Sequence, residues 1–112
     1  MVQSTDQTET LLPQLTYGMV GGGEGAFIGE VHRKAIAMDG QAKLVCGCFS
    51  ADFANTKKTG GKLLLESSRL YETYQQMAEK EGKRQDPIDF VVIATPNYTH
   101  YPISKIFLEN GI

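Results

Sequence analysis

The stretch YGMVGGGEGAFIGEVH, residues 17–32, places five glycines within nine positions, from Gly21 to Gly29. A short apolar run precedes the glycines, and the apolar residues after them have the spacing of a helix. Because glycine has no side chain, such a loop lets the chain turn tightly and lets another group approach the backbone. The stretch therefore predicts a strand, a glycine-rich turn and a helix.

Strand-like and helix-like segments alternate along the rest of the chain, which is typical of a parallel α/β sheet with helices on both faces. Residues 90–94 are apolar at every position, so we expect this strand at the centre of the sheet with helices on each side. The expected strands are 15–20, 42–49 and 90–94, with a short extended piece at 69–71. The expected helices are 29–39, 52–65 with a break at Gly60 and Gly61, 72–81 and 100–110.

Length, composition and charge are those of one small globular domain. The chain has 112 residues, 41% of them hydrophobic and 21% charged, with a formal net charge of −2 at pH 7. This balance gives no electrostatic footprint for nucleic acid or an anionic membrane. No apolar run approaches the roughly 18 residues of a membrane span. Residues 1–14 are polar and aperiodic, so we expect a disordered or loosely attached tail before a domain at 15–112.

The two cysteines, Cys46 and Cys48, lie two positions apart in the second expected strand. Neighbours on one strand face make a poor disulfide, and two thiolates alone do not form a structural zinc site. We interpret them as reduced and partly buried. With an N-terminus that lacks the features of a secretory signal, they indicate a cytoplasmic protein. No set of His, Cys, Asp and Glu has metal-ligand spacing, so no metal is expected.

The glycine-rich turn connects the first strand to the first helix. In a doubly wound sheet this turn lies at the carboxyl edge, where ligands bind. The helix N-terminus there offers free N–H groups and the positive end of the helix dipole to an anion. The loop fits G-x-G-x-x-A as Gly21, Gly23 and Ala26, or a longer frame that ends at Gly29. A phosphate-bearing nucleotide is the expected ligand; otherwise the glycines only make a tight turn and a close helix contact.

Two other glycine-loop sites can be compared with this one. A P-loop ends in Gly-Lys-Ser/Thr, whereas TGGKLLL, residues 59–65, has neither the upstream strand nor the hydroxyl. An S-adenosylmethionine site would suit Gly21, Gly23 and Gly25, but such sites usually carry an acidic residue before the first glycine, and this chain has Met19 there. The S-adenosylmethionine interpretation stays open as a less favoured alternative.

Two motifs together carry a family resemblance. The segment GMVGGGEGAFIGEVH, residues 18–32, ends in a glycine followed three positions later by a histidine, Gly29 and His32. The segment DFVVIATPNYTH, residues 89–100, ends in A-T-P-N-x-x-H. Over residues 15–112 the chain resembles the glucose-fructose oxidoreductase / inositol dehydrogenase family, known as Gfo/Idh/MocA. The resemblance implies an incomplete Rossmann-type NAD(P)-binding domain of three to four strands.

The resemblance also implies a set of cofactor-binding residues. The glycine loop and the first helical turn would face the pyrophosphate, and the A-T-P-N segment would pass beside the nicotinamide-side ribose. The end of the second strand would lie at the adenosine ribose. The cofactor-binding residues implied in this way are Gly21, Gly23, Phe27, Ile28, Gly29, Ser50, Thr95, Pro96, Asn97 and His100.

The choice between NAD and NADP stays open. Sites for NAD usually place an acidic residue at the end of the second strand, where it holds the ribose hydroxyls. This chain has Ser50 there, and Asp52 reads as a helix cap. A missing acid removes repulsion against a 2′-phosphate, and Lys57 or Lys58 could lie near. Elsewhere, the charged residues of segment 79–84 are interpreted as a solvated helix end.

The family's next strand carries a Glu/Asp-Lys-Pro motif, and a second domain supplies the substrate pocket and a sheet for oligomers. The sequence stops at Ile112, before that motif, so we expect it to be the cofactor-binding part of a larger homo-oligomeric enzyme, with no catalytic residue of its own. The implied reaction is hydride transfer to or from a sugar, polyol or related alcohol. The alternative is a nucleotide-binding or interaction module without catalysis.

Overall fold

The computed structural model describes residues 14–112, which form three strands and four helices, with two helices in succession between the second and third strands. Apart from Gln14, the predicted tail lies outside the described residues. The strands are β1 Leu15–Gly21, β2 Ala42–Cys48 and β3 Phe90–Ala94. The helices are α1 Phe27–Ala37, α2 Phe53–Lys62, α3 Tyr74–Gly82 and α4 His100–Glu109. Short 3-10 turns lie at Ser67–Arg69 and Asn97–Thr99.

The sheet is parallel and has the order β2-β1-β3. β1 pairs with β3 in continuous register from Tyr17 opposite Phe90 to Gly21 opposite Ala94. The chain leaves β1 for β2 on one side and later returns to place β3 on the other side. This change of direction creates a crevice at the carboxyl ends of the strands, the usual ligand position in such sheets. The predicted Rossmann-type α/β fold is confirmed.

The predicted central position of β3 is wrong for the described residues, because β1 is the central strand and β3 lies at the edge. Its apolar character has another cause. Phe90 and Val92 pack on one side of the sheet, and Val91 and Ile93 pack on the other. Helices therefore cover both faces of β3, as predicted, while one of its backbone edges has no partner strand among residues 14–112.

Two hydrophobic clusters fill the two faces of the sheet. One joins Val20 to Met77 of α3 and to Ile103 and Phe107 of α4. The other joins Met19 to residues of α1 and α2 and to Phe49, which is 1% exposed. Alternation along β1 sends successive side chains to opposite faces. The sheet is thereby fixed between two helix layers, and its carboxyl edge has a defined shape.

The pairing of β1 with β2 contains a bulge opposite Tyr17 and Gly18, where Leu44 is followed in register by Cys46. Because one residue is skipped, Val45 and Cys46 both pack with the α3 and α4 cluster. Cys46 and Cys48 form no disulfide, as predicted, and both are buried, more deeply than the partial burial that was predicted. Burial raises the pKa of the Cys48 thiol to about 11. Burial also raises the pKa of Cys46.

Side chains cap two of the helices. Asp52 accepts a hydrogen bond from the Ala54 N–H at the start of α2, so its predicted role as a cap is confirmed. Thr73 accepts one from the Gln76 N–H at the start of α3, which begins two residues later than predicted. The described helices include none that is both long and apolar enough to cross a membrane.

Helix α2 runs without a break through Gly60 and Gly61, contrary to the prediction. A Cβ on Gly60 would lie 2.5 Å from Leu70 Cδ2. The missing side chain lets Leu70 pack on the helix backbone, and this packing offsets the low helix propensity of glycine. Leu70 in turn forms an isolated parallel bridge with Gly47, which is what remains of the predicted extended piece at 69–71.

Candidate functional site

The glycine loop meets α1 at one point, where Gly22 touches Gly29. Gly22 has a φ of +72°, which favours glycine. A Cβ on Gly22 would lie 2.7 Å from Gly29 Cα, and one on Gly29 would lie 2.7 Å from the Gly22 carbonyl oxygen. Neither position accepts a side chain. Two frames of the glycine motif were predicted. The last glycine of the longer frame, Gly29, is the residue that makes the close contact between loop and helix.

The N-terminus of α1 differs from those of α2 and α3. Ala26 occupies its N-cap position, and no side chain among the described residues accepts a hydrogen bond from the first helical N–H groups. These groups have no partner within a helix and are favourable ligands for an anion. The first turn therefore presents donors at the carboxyl edge of the sheet. Phe27, at the start of this turn, is 80% exposed.

Arg33 of α1 forms a hydrogen bond with the start of the glycine loop. Its Nη1 donates a hydrogen bond to the Gly22 carbonyl oxygen at 2.9 Å and lies 3.4 Å from Met19 Sδ. The carbonyl that accepts this hydrogen bond belongs to Gly22, which also contacts Gly29. Arg33 therefore holds the close approach of loop and helix, and it was not identified from the sequence.

Helix α2 holds the tip of the loop through its backbone. The Glu24 N–H donates to Thr59 Oγ1 at 3.0 Å and to Asn55 Oδ1 at 3.1 Å, and Asn55 Nδ2 donates to the Glu24 carbonyl oxygen at 3.1 Å. Thr59 Oγ1 also donates to Asn55 Oδ1 at 2.9 Å. Both polar groups of the Glu24 backbone are thus fixed by one turn of α2.

The Glu24 carboxylate forms two ion pairs with the same helix, 3.4 Å from Lys58 Nζ and 3.1 Å from Lys62 Nζ. The hydrogen bond from Lys62 is the largest of the effects that lower the pKa of Glu24. Lys58, which was predicted to lie near a 2′-phosphate, therefore already has a partner. A 2′-phosphate would compete with the Glu24 carboxylate for this lysine.

The chain after β2 is fixed by hydroxyl groups. The Ser50 N–H donates to Thr56 Oγ1 at 3.0 Å, and Thr56 Oγ1 donates to the Ser50 carbonyl oxygen at 3.2 Å. Ser50 Oγ accepts from the Asp52 N–H at 3.0 Å. A hydroxyl that accepts still has its own proton to donate. Ser50 can therefore offer a hydrogen bond to a ligand at the end of β2.

The segment after β3 is closed by side chains of the following turn. Thr99 Oγ1 donates to the Pro96 carbonyl oxygen at 2.6 Å and lies 2.6 Å from Thr95 Oγ1. Because a hydroxyl has a single proton, Thr95 is the donor of that pair. His100 Nε2 lies 2.8 Å from the Thr95 carbonyl oxygen, which can only accept, so this nitrogen carries the proton. His100 therefore orients the A-T-P-N segment.

The predicted site residues divide between two cavities and the surface. An apolar cavity of about 470 Å³ lies at the carboxyl edge between the strand ends and helices α3 and α4. A loop cavity of about 480 Å³ lies between α1 and α2. Gly21, Ser50, Thr95 and Pro96 line the apolar cavity; Gly23 and Phe27 line the loop cavity; Gly29 is buried; His100 is half-buried; Ile28 and Asn97 are exposed.

Several residues that build the site were missed by the sequence analysis: Gly22, Arg33, Asn55, Thr56, Thr59 and Thr99. Gly22 had a usable signal, because it stands within the glycine run. Thr99 lies in the 3-10 turn Asn97–Thr99, and its partners are local. Arg33, Asn55, Thr56 and Thr59 are polar residues of α1 and α2, and their partners lie far away in sequence or are backbone groups. Their contacts depend on how α1 and α2 are placed on the sheet, which the spacing of apolar residues does not define. Within residues 14–112, no group of three or more His, Cys, Asp or Glu side chains could hold a metal ion.

Known proteins are similar to this chain in sequence and in fold. An uncharacterized oxidoreductase, YfiI of Bacillus subtilis (strain 168), is 43% identical over 99 residues, which are 88% of this chain and 25% of that protein. The crystal structure of an oxidoreductase from Pseudomonas syringae superimposes with a TM-score of 0.85 at 43% identity, over 90% of this chain and 28% of that one.

A second similar structure carries a cofactor. An inositol dehydrogenase homolog from Azotobacter vinelandii, complexed with NAD⁺, has a TM-score of 0.84 at 37% identity, over 88% of this chain and 25% of that one. The same homolog is also known complexed with NADH and myo-inositol. The chain thus spans about a quarter of the length of these relatives.

Residues 15–112 match the family GFO_IDH_MocA, described as an oxidoreductase family with an NAD-binding Rossmann fold. The match covers more than half of the chain and includes the glycine loop and the A-T-P-N segment. The resemblance inferred from the sequence motifs is confirmed. The chain belongs to the Gfo/Idh/MocA oxidoreductase family, as its NAD-binding Rossmann domain.

Proposed function

We propose that this chain is the cofactor-binding part of an oxidoreductase that transfers hydride between a nicotinamide cofactor and a sugar, polyol or related alcohol. The observation that carries the proposal is the contact of Gly22 with Gly29. It brings the backbone of the glycine loop against the backbone of α1, beside the uncapped N-terminus of that helix. A turn of glycines in this place lets a pyrophosphate approach the free N–H groups of the helix closely.

The residues of the site have separate parts in this proposal. Gly21, Gly23, Phe27, Ile28 and Gly29 hold the pyrophosphate through backbone groups. Ser50 lies at the adenosine ribose, and Thr95, Pro96 and Asn97 pass beside the nicotinamide-side ribose, with His100 orienting them. Support comes from their position at the carboxyl ends of β1, β2 and β3.

The bound cofactor supplies the hydride chemistry, and this chain supplies binding and orientation. We assign no catalytic acid or base to residues 15–112. A polyol is the favoured substrate class, since a homolog of this chain is an inositol dehydrogenase homolog seen with NADH and myo-inositol. The free thiols of Cys46 and Cys48 fit a reducing compartment, and we propose the cytoplasm. A homo-oligomer is proposed on the family resemblance.

The first test is cofactor binding by the full-length protein. NADH is titrated by fluorescence or calorimetry into the wild type and into Gly29→Ala. The added methyl group would meet the Gly22 backbone and displace the glycine loop. Because the loop would then lose a hydrogen bond to the charged pyrophosphate, we expect the affinity for NADH to fall at least about tenfold. Gly61→Ala is the matched control, because its Cβ would meet nothing within 4 Å. Equal affinities of the two variants would contradict the proposal.

Turnover is the second test and separates an enzyme from a binding module. The full-length protein is incubated with NAD⁺ and a panel of polyols that includes myo-inositol, and NADH absorbance is followed. Appearance of NADH with at least one polyol is the expected result. Tight binding of NADH with no turnover on any polyol or sugar would favour a nucleotide-binding module without catalysis.

A further inference from the structure

The adenosine ribose is the part of a dinucleotide that distinguishes NAD from NADP, and in this fold it lies at the end of the second strand. Beside that position the structure has a charged cavity of about 510 Å³, between the tip of the glycine loop and the start of α2. Glu24, Asp52, Asn55 and Lys58 are among its lining residues. The charges of this cavity therefore act on whatever group the 2′ position carries.

The lysines of α2 would favour a 2′-phosphate if they were free, but each has a partner. Lys58 and Lys62 pair with the Glu24 carboxylate at 3.4 and 3.1 Å. Lys57 lies over the Phe53 ring, 5.3 Å from its centroid. Asp52 adds a second carboxylate at the same place, where it caps α2. The four charges of Glu24, Asp52, Lys58 and Lys62 sum to zero, so no net positive charge remains there.

Glu24 is held in this position by its backbone, and not only by its ion pairs. Its N–H and carbonyl groups bond to the Asn55 and Thr59 side chains, and Thr59 is 4% exposed. The carboxylate therefore cannot leave the lysines by a movement of the loop alone. Since the hydrogen bond from Lys62 lowers the pKa of Glu24, the group is ionised at neutral pH.

From these contacts we infer that Glu24 is a specificity-determining residue: it neutralises Lys58 and Lys62 and so makes the site select NAD over NADP. The inference rests on the proposed function. A 2′-phosphate carries close to two negative charges and would face two carboxylates with no free cation. A 2′-hydroxyl is neutral and can donate a hydrogen bond to a carboxylate. The acidic residue that the end of β2 lacks is thus supplied by the glycine loop.

The test compares NADH and NADPH affinities of the full-length wild type and of Glu24→Gln at low ionic strength. The amide keeps the size of the side chain and releases both lysines. We expect the wild type to prefer NADH, and the variant to bind NADPH about fivefold more tightly or better, the Coulomb effect of one unit charge at contact distance in water. Affinity for NADH should change less than that for NADPH, because the glutamine amide oxygen can still accept a hydrogen bond from the 2′-hydroxyl. The gain for NADPH should vanish at high salt.

Two further variants make the result specific. Glu109→Gln removes a carboxylate that lies 3.9 Å from Lys105 Nζ at the far end of α4, and it should change neither affinity. The triple variant Glu24→Gln, Lys58→Gln, Lys62→Gln should lose this gain, with an NADPH affinity at or below the wild-type value, because the released cations are gone and only the Asp52 carboxylate remains. Circular dichroism verifies that each variant is folded.

The possible outcomes are distinguishable. A wild type that binds NADH, together with a Glu24→Gln variant whose NADPH affinity does not rise, would overturn this inference and leave the proposed function standing. Equal loss of both cofactors in the variant would also overturn it, since Glu24 would then act only on the shape of the loop. A wild type that binds neither cofactor would overturn the proposed function itself.

Discussion

At the scale of single residues, Glu81 is a carboxylate that is fully buried in the fold and paired with Arg69. Its side chain is 0% exposed and accepts two hydrogen bonds from Arg69, Nε to Oε2 at 3.1 Å and Nη2 to Oε1 at 2.6 Å. The Tyr71 hydroxyl donates to Oε2 at 2.6 Å. Three donors on one carboxylate compensate for the loss of water around it. The trio joins α3 to the chain that leaves the Ser67–Arg69 turn.

The first prediction concerns this buried pair. Arg69→Met leaves the Glu81 carboxylate without a countercharge, and we expect the free energy of unfolding to fall by about 3–5 kcal/mol. Arg84→Met is the control, because Arg84 is only half-buried and pairs with the exposed Asp86, and ion pairs at the surface contribute little to stability. Urea unfolding followed by circular dichroism measures both. Equal and small losses would mean that the buried pair is not a stabilising contact.

The charged residues of segment 79–84 were predicted to form a solvated helix end, and for Glu81 this prediction is wrong. Alternating charges do not reveal which one faces the core, because the partner of Glu81 lies 12 positions earlier. The same limit applies to Arg33 in the candidate site. By contrast, Asp52 was correctly predicted to cap α2, since a cap is a local interaction between neighbours in the sequence.

At the scale of elements, the strand–loop–helix unit was predictable because its signals are local. Five glycines in nine positions and the helical spacing after them define β1, the turn and α1. The break predicted at Gly60 and Gly61 is wrong because packing against Leu70 determines that region. Glycine is a reliable signal where the backbone must have positive φ, as at Gly22, and a poor one where a neighbour fills the space of its missing side chain.

The second prediction concerns the start of α3. Thr73→Ala removes the hydroxyl that accepts the Gln76 N–H at 3.1 Å, and loss of such a cap costs about 1 kcal/mol. Thr73→Ser keeps the hydroxyl and should retain most of the stability. Thermal unfolding of both variants tests this. An alanine variant as stable as the serine variant would show that the cap contributes nothing to α3.

At the scale of the whole molecule, the apolar character of 90–94 correctly predicted a strand covered on both faces. Its place in the sheet was not predictable, because the pattern of one strand does not say which strands lie beside it. The strands have the order β2-β1-β3, with α1 and α2 packed on one face and α3 and α4 on the other. Cofactor binding by the site residues stays a prediction, since it depends on groups from both faces meeting a ligand.

The third prediction is a loss of stability at alkaline pH. Burial raises the pKa of Cys48 from 9.0 to about 11 and also raises those of Cys46, Tyr71 and Tyr17. Above pH 9 the unfolded chain releases protons that the folded chain keeps. The stability that these groups contribute is therefore complete below pH 9 and decreases as the pH rises.

Urea unfolding measured from pH 7 to pH 11 tests this. In Cys48→Ala the decrease with rising pH should be shallower than in the wild type, because one thiol no longer titrates, whereas the loss of packing lowers the stability at every pH. A pH dependence identical to that of the wild type would contradict the assignment to Cys48.

The strand order also has a consequence for the time course of synthesis. Thr16 at the start of β1 and Asp89 just before β3 exchange two hydrogen bonds across 73 positions of the chain. A ribosome adds roughly 5–20 residues per second, so β1 is made roughly 4–15 seconds before the strand that pairs with it on that side. During this interval β1 has at most β2 beside it, because β2 is made later than β1 but before β3. The nascent chain thus carries an open apolar strand for seconds, a period in which ribosome-associated chaperones have time to bind it.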